Sequence, residues 1–421
     1  MSLRDQAAEV LLGNWRGHNT IPAPGLYPHQ WSWDSAFIAV GLRHLSSLRA
    51  QQELESLFGA QWADGRVPHI VFDPEAPRQG YFPGPEFWRS EEVNGPQHPD
   101  TSGIVQPPVH ALAAWEVHAS DPETSRRRSF LERLYPKLVA WHDYLRGRRD
   151  LGGRGLVSIV HPWESGMDNS PSWDAPLQRV EPVPPTEFQR RDLDHADASE
   201  RPTDADYGRY VRLAATYRDH GYADGLQVHE FAVEDPVTNS LLAASEAALV
   251  RIAQELGEPA HPHEAEVARI RDALPLLLED GLFHSYDVHG GDLVRGGSVA
   301  GLVPLVVPGL PQAQDLIATA TGPRFRAEEL GVVPSWDLTD PLFDPSRYWR
   351  GPAWFNITWL LQRGLDDHGA PELAQVLRTG MLTAANRSGF REYIDPRTCE
   401  GKGAHHFSWT AAVVLDLLAT S

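Results

Sequence analysis

The chain has 421 residues, and its 57 Asp and Glu against 37 Lys and Arg give a formal charge of −20. That balance argues against a nucleic-acid partner, because phosphate binding needs clustered bases and the only two lysines, Lys137 and Lys402, lie far apart. Cys399 is the one cysteine, so no internal disulfide forms; with no signal-peptide pattern at the N-terminus and no apolar run long enough to span a bilayer, a cytoplasmic protein is expected.

Apolar residues recur at helical spacing through most of the chain, and the breaks fall at Gly, Pro or Asn. In chain order the pattern predicts helices over 36–58, 109–118, 131–145, 205–220, 236–256, 264–279, 353–364, 371–385 and 408–419. The clearest carries Leu241, Leu242, Ala248, Leu249, Ile252 and Leu256 on one face and stops at Gly257-Glu-Pro259. Strand signals are few, the best being Gly155-Leu-Val-Ser-Ile-Val160. Helices without alternating strands point to an all-α architecture. No exact repeat supports a solenoid and no change of composition marks a linker, so a single domain over 1–421 is expected. The outlier is 169–206, rich in Asp and containing Pro171, Pro176, Pro182, Pro184 and Pro185, which reads as a lid loop.

The densest chemistry lies in His161-Pro-Trp-Glu-Ser-Gly-Met-Asp-Asn-Ser-Pro171. A carboxyl at an apolar, Gly-bounded turn has its pKa pushed upward, as a general acid at neutral pH requires. Asp168 is the candidate, although a turn-capping role is the commoner fate of Asp beside Gly and Asn. Glu164 is its rival, and the break at Gly166 lets only one of the two face a pocket. Phe390-Arg-Glu-Tyr-Ile-Asp-Pro396 supplies a second carboxylate among aromatics, Glu392, suited to activating water; Asp395 and Glu400 lie close enough to be confused with it. Two such sites far apart in a chain with 14 tryptophans point to sugar chemistry.

Tyr27-Pro-His-Gln-Trp-Ser-Trp-Asp34 interleaves two indoles with a carboxylate. Alternation predicts Trp31 and Trp33 on one side of an extended segment, with Asp34 accepting from sugar hydroxyls and capping a helix that starts at Ser35. Tyr348-Trp-Arg-Gly-Pro-Ala-Trp354 is a second aromatic cluster ahead of a helix, and Gln106 is a polar side chain among apolar residues at another helix entrance. Taken singly, a Trp-rich packing corner and a satisfied core amide are the plainer readings. Zinc spacings, G-x-S-x-G, Walker and G-x-G-x-x-G motifs are all missing from the sequence, so no metal or cofactor is expected.

Taken together, Gln30-Trp-Ser-Trp-Asp-Ser-Ala-Phe37, Ser102-Gly-Ile-Val-Gln-Pro-Pro-Val-His110, Trp163-Glu-Ser-Gly-Met-Asp-Asn-Ser170, the 348–354 cluster, Arg391-Glu-Tyr-Ile-Asp-Pro396 and Phe407-Ser-Trp-Thr410 resemble glycoside hydrolase family 63. Within it they are most similar to the bacterial mannosylglycerate and glucosylglycerate hydrolases, and the likeness spans nearly the whole chain. The resemblance implies an (α/α)6 barrel with its site at the wide end of the toroid. It implies inversion at the anomeric carbon, with Asp168 as general acid and Glu392 as general base. Trp31, Trp33, Asp34, Gln106, Gly166, Trp349 and Trp354, joined by Tyr27 and Tyr348, would hold the glycosyl ring.

Glu200-Arg-Pro-Thr-Asp-Ala-Asp-Tyr207 looks like the family segment that grips a glycerate carboxylate, here through Arg201 and Tyr207, with Trp163 and Tyr81 on the same side. An acidic protein that accepts a small anionic glycoside needs such a local guanidinium, although a surface ion pair is the ordinary fate of a loop Arg. One departure is visible: relatives read Thr-Gly-Glu-Gly after the second carboxylate motif, where this chain has Thr398-Cys-Glu-Gly401. The implied reaction is hydrolysis of 2-O-α-mannosyl- or 2-O-α-glucosyl-D-glycerate. A trehalase-like or oligosaccharide-trimming α-glucosidase is the alternative on the same fold. A silent carbohydrate-binding protein and a polysaccharide lyase are alternatives of other classes. The sequence leaves the choice of hexose and any homo-oligomer open.

Overall fold

The computed structural model describes residues 1–77, 80–194 and 197–419. Its long helices are, in chain order, α1 (Leu3–Asn14), α2 (Ser32–Leu42), α3 (Ser47–Gly59), α4 (His110–Ser120), α5 (Phe130–Arg148), α6 (Asp204–Asp219), α7 (Pro236–Leu256), α8 (His261–Ala273), α9 (Ala313–Thr321), α10 (Phe355–Asp367), α11 (Pro371–Ser388) and α12 (Ser408–Ala419). Local signals set the boundaries. At α7 the Asp235 carboxylate accepts from Thr238 N at 2.9 Å, Pro236 takes the first helical position, and Gly257 ends the helix at φ 73°.

α2 is buried along its whole length and α7 on nearly every face, as befits helices at the centre of a large core. α2, α4, α7, the 3-10 segment Val299–Val306, α10 and α12 each pack on the next, and α12 packs back on α2, closing a ring. α1, α3, α5, α8, α9 and α11 lie against that ring from outside. The architecture is an (α/α)6 barrel. α6 stands apart, packing Tyr207, Tyr210, Val211 and Leu213 with Trp173, Leu177, Phe188 and Phe231 in a cluster of its own. Among the described residues no helix is long and apolar enough to cross a membrane.

Several elements differ from the sequence expectation. The run at 36–58 is two helices, because Ser46 accepts from Arg49 N to start α3 while Arg43 and His44, between them, pair with buried Asp416 of α12. The run at 264–279 ends at Ala273, since Pro275 forces a 3-10 turn, and Leu278–Glu279 then pairs with Leu282–Phe283. α1 and α9 are helices that the sequence expectation did not include. Strands are more numerous than expected but only two or three residues long, too short for alternation to be read. Four of them, Ser158–Ile159, Val233–Glu234, Ser285–Asp287 and Asp292–Val294, form one antiparallel patch. The stretch 169–206, of which 195 and 196 lie outside the described residues, is not loop throughout: it begins in buried turns around Pro171–Trp173 and Asp174–Leu177.

Ring closure depends on close backbone approach. A Cβ added to Gly41 of α2 would lie 2.3 Å from Ala412 Cα of α12, with backbone rather than a yielding side chain in its way. Gly41→Ala therefore overpacks the seam between the first and last inner helices and is expected to cost about 1–3 kcal/mol. Denaturant melts of the variant check this; an unchanged midpoint would show that the seam can open.

Candidate active site

The inner helices α2, α4, α10 and α12 present their N-terminal ends, or the segments just before them, to one cavity of about 490 Å³. The short strands form its rim: Gln30–Trp31 pairs with Ile70–Val71 and runs straight into α2. Trp31 and Trp33 are thus not side by side on an extended segment, as the alternation predicted. Trp31 ends the strand and Trp33 sits in the first turn of α2, yet both rings line the cavity. Nor does Asp34 cap a helix starting at Ser35; α2 starts at Ser32, and Asp34 lies buried in its first turn. Burial first, then Glu392 and Asp168, holds the Asp34 carboxyl well above the usual carboxylate range. Gln106 accepts from Trp33 N at 3.1 Å and lines the same wall.

Asp168 follows a tightly built turn. Gly166 adopts φ 70°, and a Cβ there would lie 2.5 Å from the Trp33 ring, so glycine is required both by backbone and by space. Tyr210 Oη donates to the Asp168 carbonyl at 2.7 Å, fixing the backbone while the carboxyl faces the cavity. Burial pushes that carboxyl up to about 7, Arg201 opposing and Glu392 reinforcing the shift. Glu164, the rival, points away and is bound by Arg149 at 2.8 and 2.9 Å.

Glu392 enters beside the hairpin of Tyr393–Ile394 and Gly401–Lys402 and is 1% exposed. Its Oε1 accepts from Tyr27 Oη at 2.8 Å and Tyr348 Oη at 3.0 Å, and its Oε2 from Ala404 N at 3.0 Å. Burial keeps both phenols protonated, and so able to donate. Asp395 is taken up by the turn, accepting from Arg397 N and Thr398 N, and Glu400 is exposed. Cys399, where the resemblance leads one to expect glycine, occupies the left-handed region at φ 59°, and the turn still closes through Cys399 N to Asp395 O at 2.9 Å.

A second chamber of about 520 Å³ shares Tyr27, Tyr81, Trp163, Asp168 and Tyr348 with the first and adds Arg201, Tyr207 and Tyr210. Arg201 is buried, not paired at the surface. Its guanidinium lies 4.6 Å over the Tyr348 ring, reaches Tyr27 Oη only at 3.4 Å and Glu392 Oε2 only at 4.0 Å, and its Nε has no partner. Tyr207 donates to Phe82 O at 3.0 Å.

Two expected residues fall outside the cavity wall. Trp349 and Trp354 stack at 3.8 Å, buried behind Tyr348. In turn His69, Phe407, Trp409 and Pro22 line the cavity without having been assigned a role from sequence. Phe407 and Trp409 repeat the aromatic-at-helix-start pattern of Trp31 and Trp33 and were findable by it. His69 carried no signal, since only strand pairing brings it in. Among the described residues no group of three or more His, Cys, Asp or Glu is arranged to hold a metal ion. Chemically, the arrangement offers a carboxyl that holds its proton near neutrality, a second carboxylate fixed by three donors, and a guanidinium on one side only.

Residues 27–410 match a family described as mannosylglycerate hydrolase MGH1-like glycoside hydrolase domain. A mannosylglycerate hydrolase from Rubrobacter radiotolerans is 42% identical, the alignment covering 98% of this chain and 96% of that protein. A glucosylglycerate hydrolase from Mycolicibacterium hassiacum is 38% identical, with 99% and 97% covered. The crystal structure of a family 63 mannosylglycerate hydrolase from Thermus thermophilus, in complex with Tris and D-glycerate, superposes with a TM-score of 0.90 at 41% identity over 99% of both chains.

The elevated Asp168 carboxyl has a consequence for stability. Between the ordinary value of 3.8 and about 7 the native state retains a proton that the unfolded chain has released, so stability falls as pH rises through this window. Asn at this position carries no such cost. Asp168→Asn should therefore melt at a higher temperature than the parent at pH 8 but not at pH 4, by up to about 4 kcal/mol of relative stability. Parallel melts across that range test it; a pH-independent difference would mean that the carboxyl titrates normally.

Proposed function

The chain belongs to the mannosylglycerate hydrolase MGH1-like glycoside hydrolase family, within glycoside hydrolase family 63, and from that premise we propose that this glycoside hydrolase cleaves 2-O-α-D-mannosyl-D-glycerate, 2-O-α-D-glucosyl-D-glycerate or both to hexose and D-glycerate. The observation that carries the substrate reading is Arg201: a buried guanidinium with only long contacts, beside Asp168 in the second chamber of a chain of charge −20. Such a group suits a carboxylate on the leaving group and has no evident use for a neutral one.

In the mechanism we propose, the hexose occupies the cavity between Trp31, Trp33, Asp34 and Gln106, and glycerate lies toward Arg201 and Tyr207. Asp168 gives its proton to the glyceryl oxygen as the glycosidic bond breaks. Glu392, aligned by Tyr27, Tyr348 and Ala404 N, takes a proton from the water that attacks the opposite face of the anomeric carbon, which inverts. Trp349 and Trp354 then act through Tyr348 and not on the sugar. The outer part of 169–206, carrying Arg201, would close the glycerate side as a lid within a single domain, and a cytoplasmic setting completes the reading.

General acid and base each contribute typically 10²–10⁴-fold, so Asp168→Asn and Glu392→Gln should each lower kcat by at least about 10²-fold while leaving the fold and substrate binding intact. Appreciable turnover by both would remove the assignments. Arg201→Ala should weaken glycerate glycosides about tenfold or more over neutral aryl glycosides, the order of one charge-assisted hydrogen bond; equal losses would place the anchor elsewhere. Measuring hexose and glycerate released from mannosylglycerate, glucosylglycerate and trehalose tests the substrate class directly, and turnover of trehalose alone would overturn it.

A further inference from the structure

Glu164 lies four residues before Asp168 but on the far side of the turn, 1% exposed. Both its oxygens are fully used. Oε2 accepts from Arg149 Nη1 at 2.8 Å and Val160 N at 2.8 Å; Oε1 accepts from Arg149 Nη2 at 2.9 Å and Val105 N at 3.2 Å. Val160 leads directly into the 161–170 segment that carries Asp168, and Val105 immediately precedes Gln106. One carboxylate thus ties the proton-bearing turn to the wall that receives the sugar. Arg149 is held in turn by Asp224 at 2.9 Å and by the Tyr144 and Tyr217 hydroxyls, and Asp224 also receives Arg66, which forks onto Asp64. The result is a buried run of alternating charge from the cavity's back wall to the outer layer.

A buried ion pair is a weak stabiliser, because desolvation offsets its attraction and an apolar pair of equal volume often does as well. What such a pair does supply is geometry, provided that every donor and acceptor is satisfied, as is so for Glu164. We propose that Glu164, oriented by Arg149, is a positioning residue that sets the Asp168 carboxyl against the leaving-group oxygen of a sugar seated on Gln106. This rests on the reading of Asp168 as the proton donor.

The test separates proton delivery from general integrity by leaving group. The substrates are the glycosylglycerate, whose leaving oxygen must be protonated, and the α-glycosyl fluoride of the same hexose, whose fluoride needs far less help. Misplacing a reacting group by about 1 Å costs about 10²-fold. Glu164→Gln should therefore lose about that much in kcat on the glycosylglycerate, with KM little changed, while keeping most of its rate on the fluoride. Arg149→Lys, which keeps the charge but not the two-pronged grip, should show the same selectivity in milder form, and it carries the test if Glu164→Gln does not fold. Asp168→Asn run in parallel distinguishes the two ideas. Selective loss there without selectivity in the Glu164 and Arg149 variants would overturn the positioning role alone. Equal losses on both substrates in Asp168→Asn would instead overturn the proton-donor reading.

Discussion

Three carboxyl groups, Asp34, Asp168 and Glu392, share one cavity, and a water-poor site cannot hold all three ionised without a counter-charge. The surrounding structure divides the burden unequally. Glu392 has two phenols and a backbone N–H on its oxygens and a guanidinium at 4.0 Å, so its charge is solvated by the protein. Among the described residues no side chain donates a hydrogen bond to the Asp168 carboxyl, and Arg201 only partly opposes its burial, so it keeps its proton to about 7. Unequal solvation of like groups is how one fold obtains an acid and a base at the same pH.

The barrel is what lets residues 168 and 392 meet. Inner helices α2, α7 and α10 enter from short strands, and at the cavity end the first turns of inner helices and the segments before them converge, while the helix bodies are consumed by packing. Trp33 and Asp34 come from the first turn of α2, Gln106 from the entrance to α4, and Phe407 and Trp409 from the start of α12. Glycine at 41 and 364 allows the ring to close tightly, since a Cβ at either would strike the backbone of Ala412 or Leu305. The site is therefore set by how the ring closes and not by any one segment.

That division explains what could be read from sequence. Helices whose apolar face recurs every three to four residues were legible, and α7 and α12 have the expected extents. Asp168 and Glu392 stood out because each sits in a dense local motif, and the resemblance gave them partners. What was not legible depends on contacts distant in sequence: the strand-to-helix turn that separates Trp31 from Trp33, the pairing with 70–71 that brings His69 to the wall, the stacking that hides Trp349 and Trp354 behind Tyr348. Glu164 is the instructive case. Its motif marked it as a rival acid, but its role follows from Arg149 at the end of α5, which nothing local to residue 164 could announce.

The net charge and the local charge act on different length scales. At physiological ionic strength the Debye length is about 8 Å, so the repulsion that a charge of −20 exerts on an approaching anion is largely screened outside the protein. Inside the cavity the buried Arg201 acts at short range, where such screening is weak. That guanidinium also lowers the Asp168 carboxyl's affinity for its proton, second only to the residue's own backbone amide among the effects that oppose burial. On the proposed reading, a glycerate carboxylate that neutralises Arg201 removes this opposition, so the bound substrate itself secures the proton that Asp168 must deliver. An aglycone without the negative charge would leave Arg201 with Glu392 alone, at 4.0 Å, beside the acid, and discrimination would then arise in the protonation state as well as in binding.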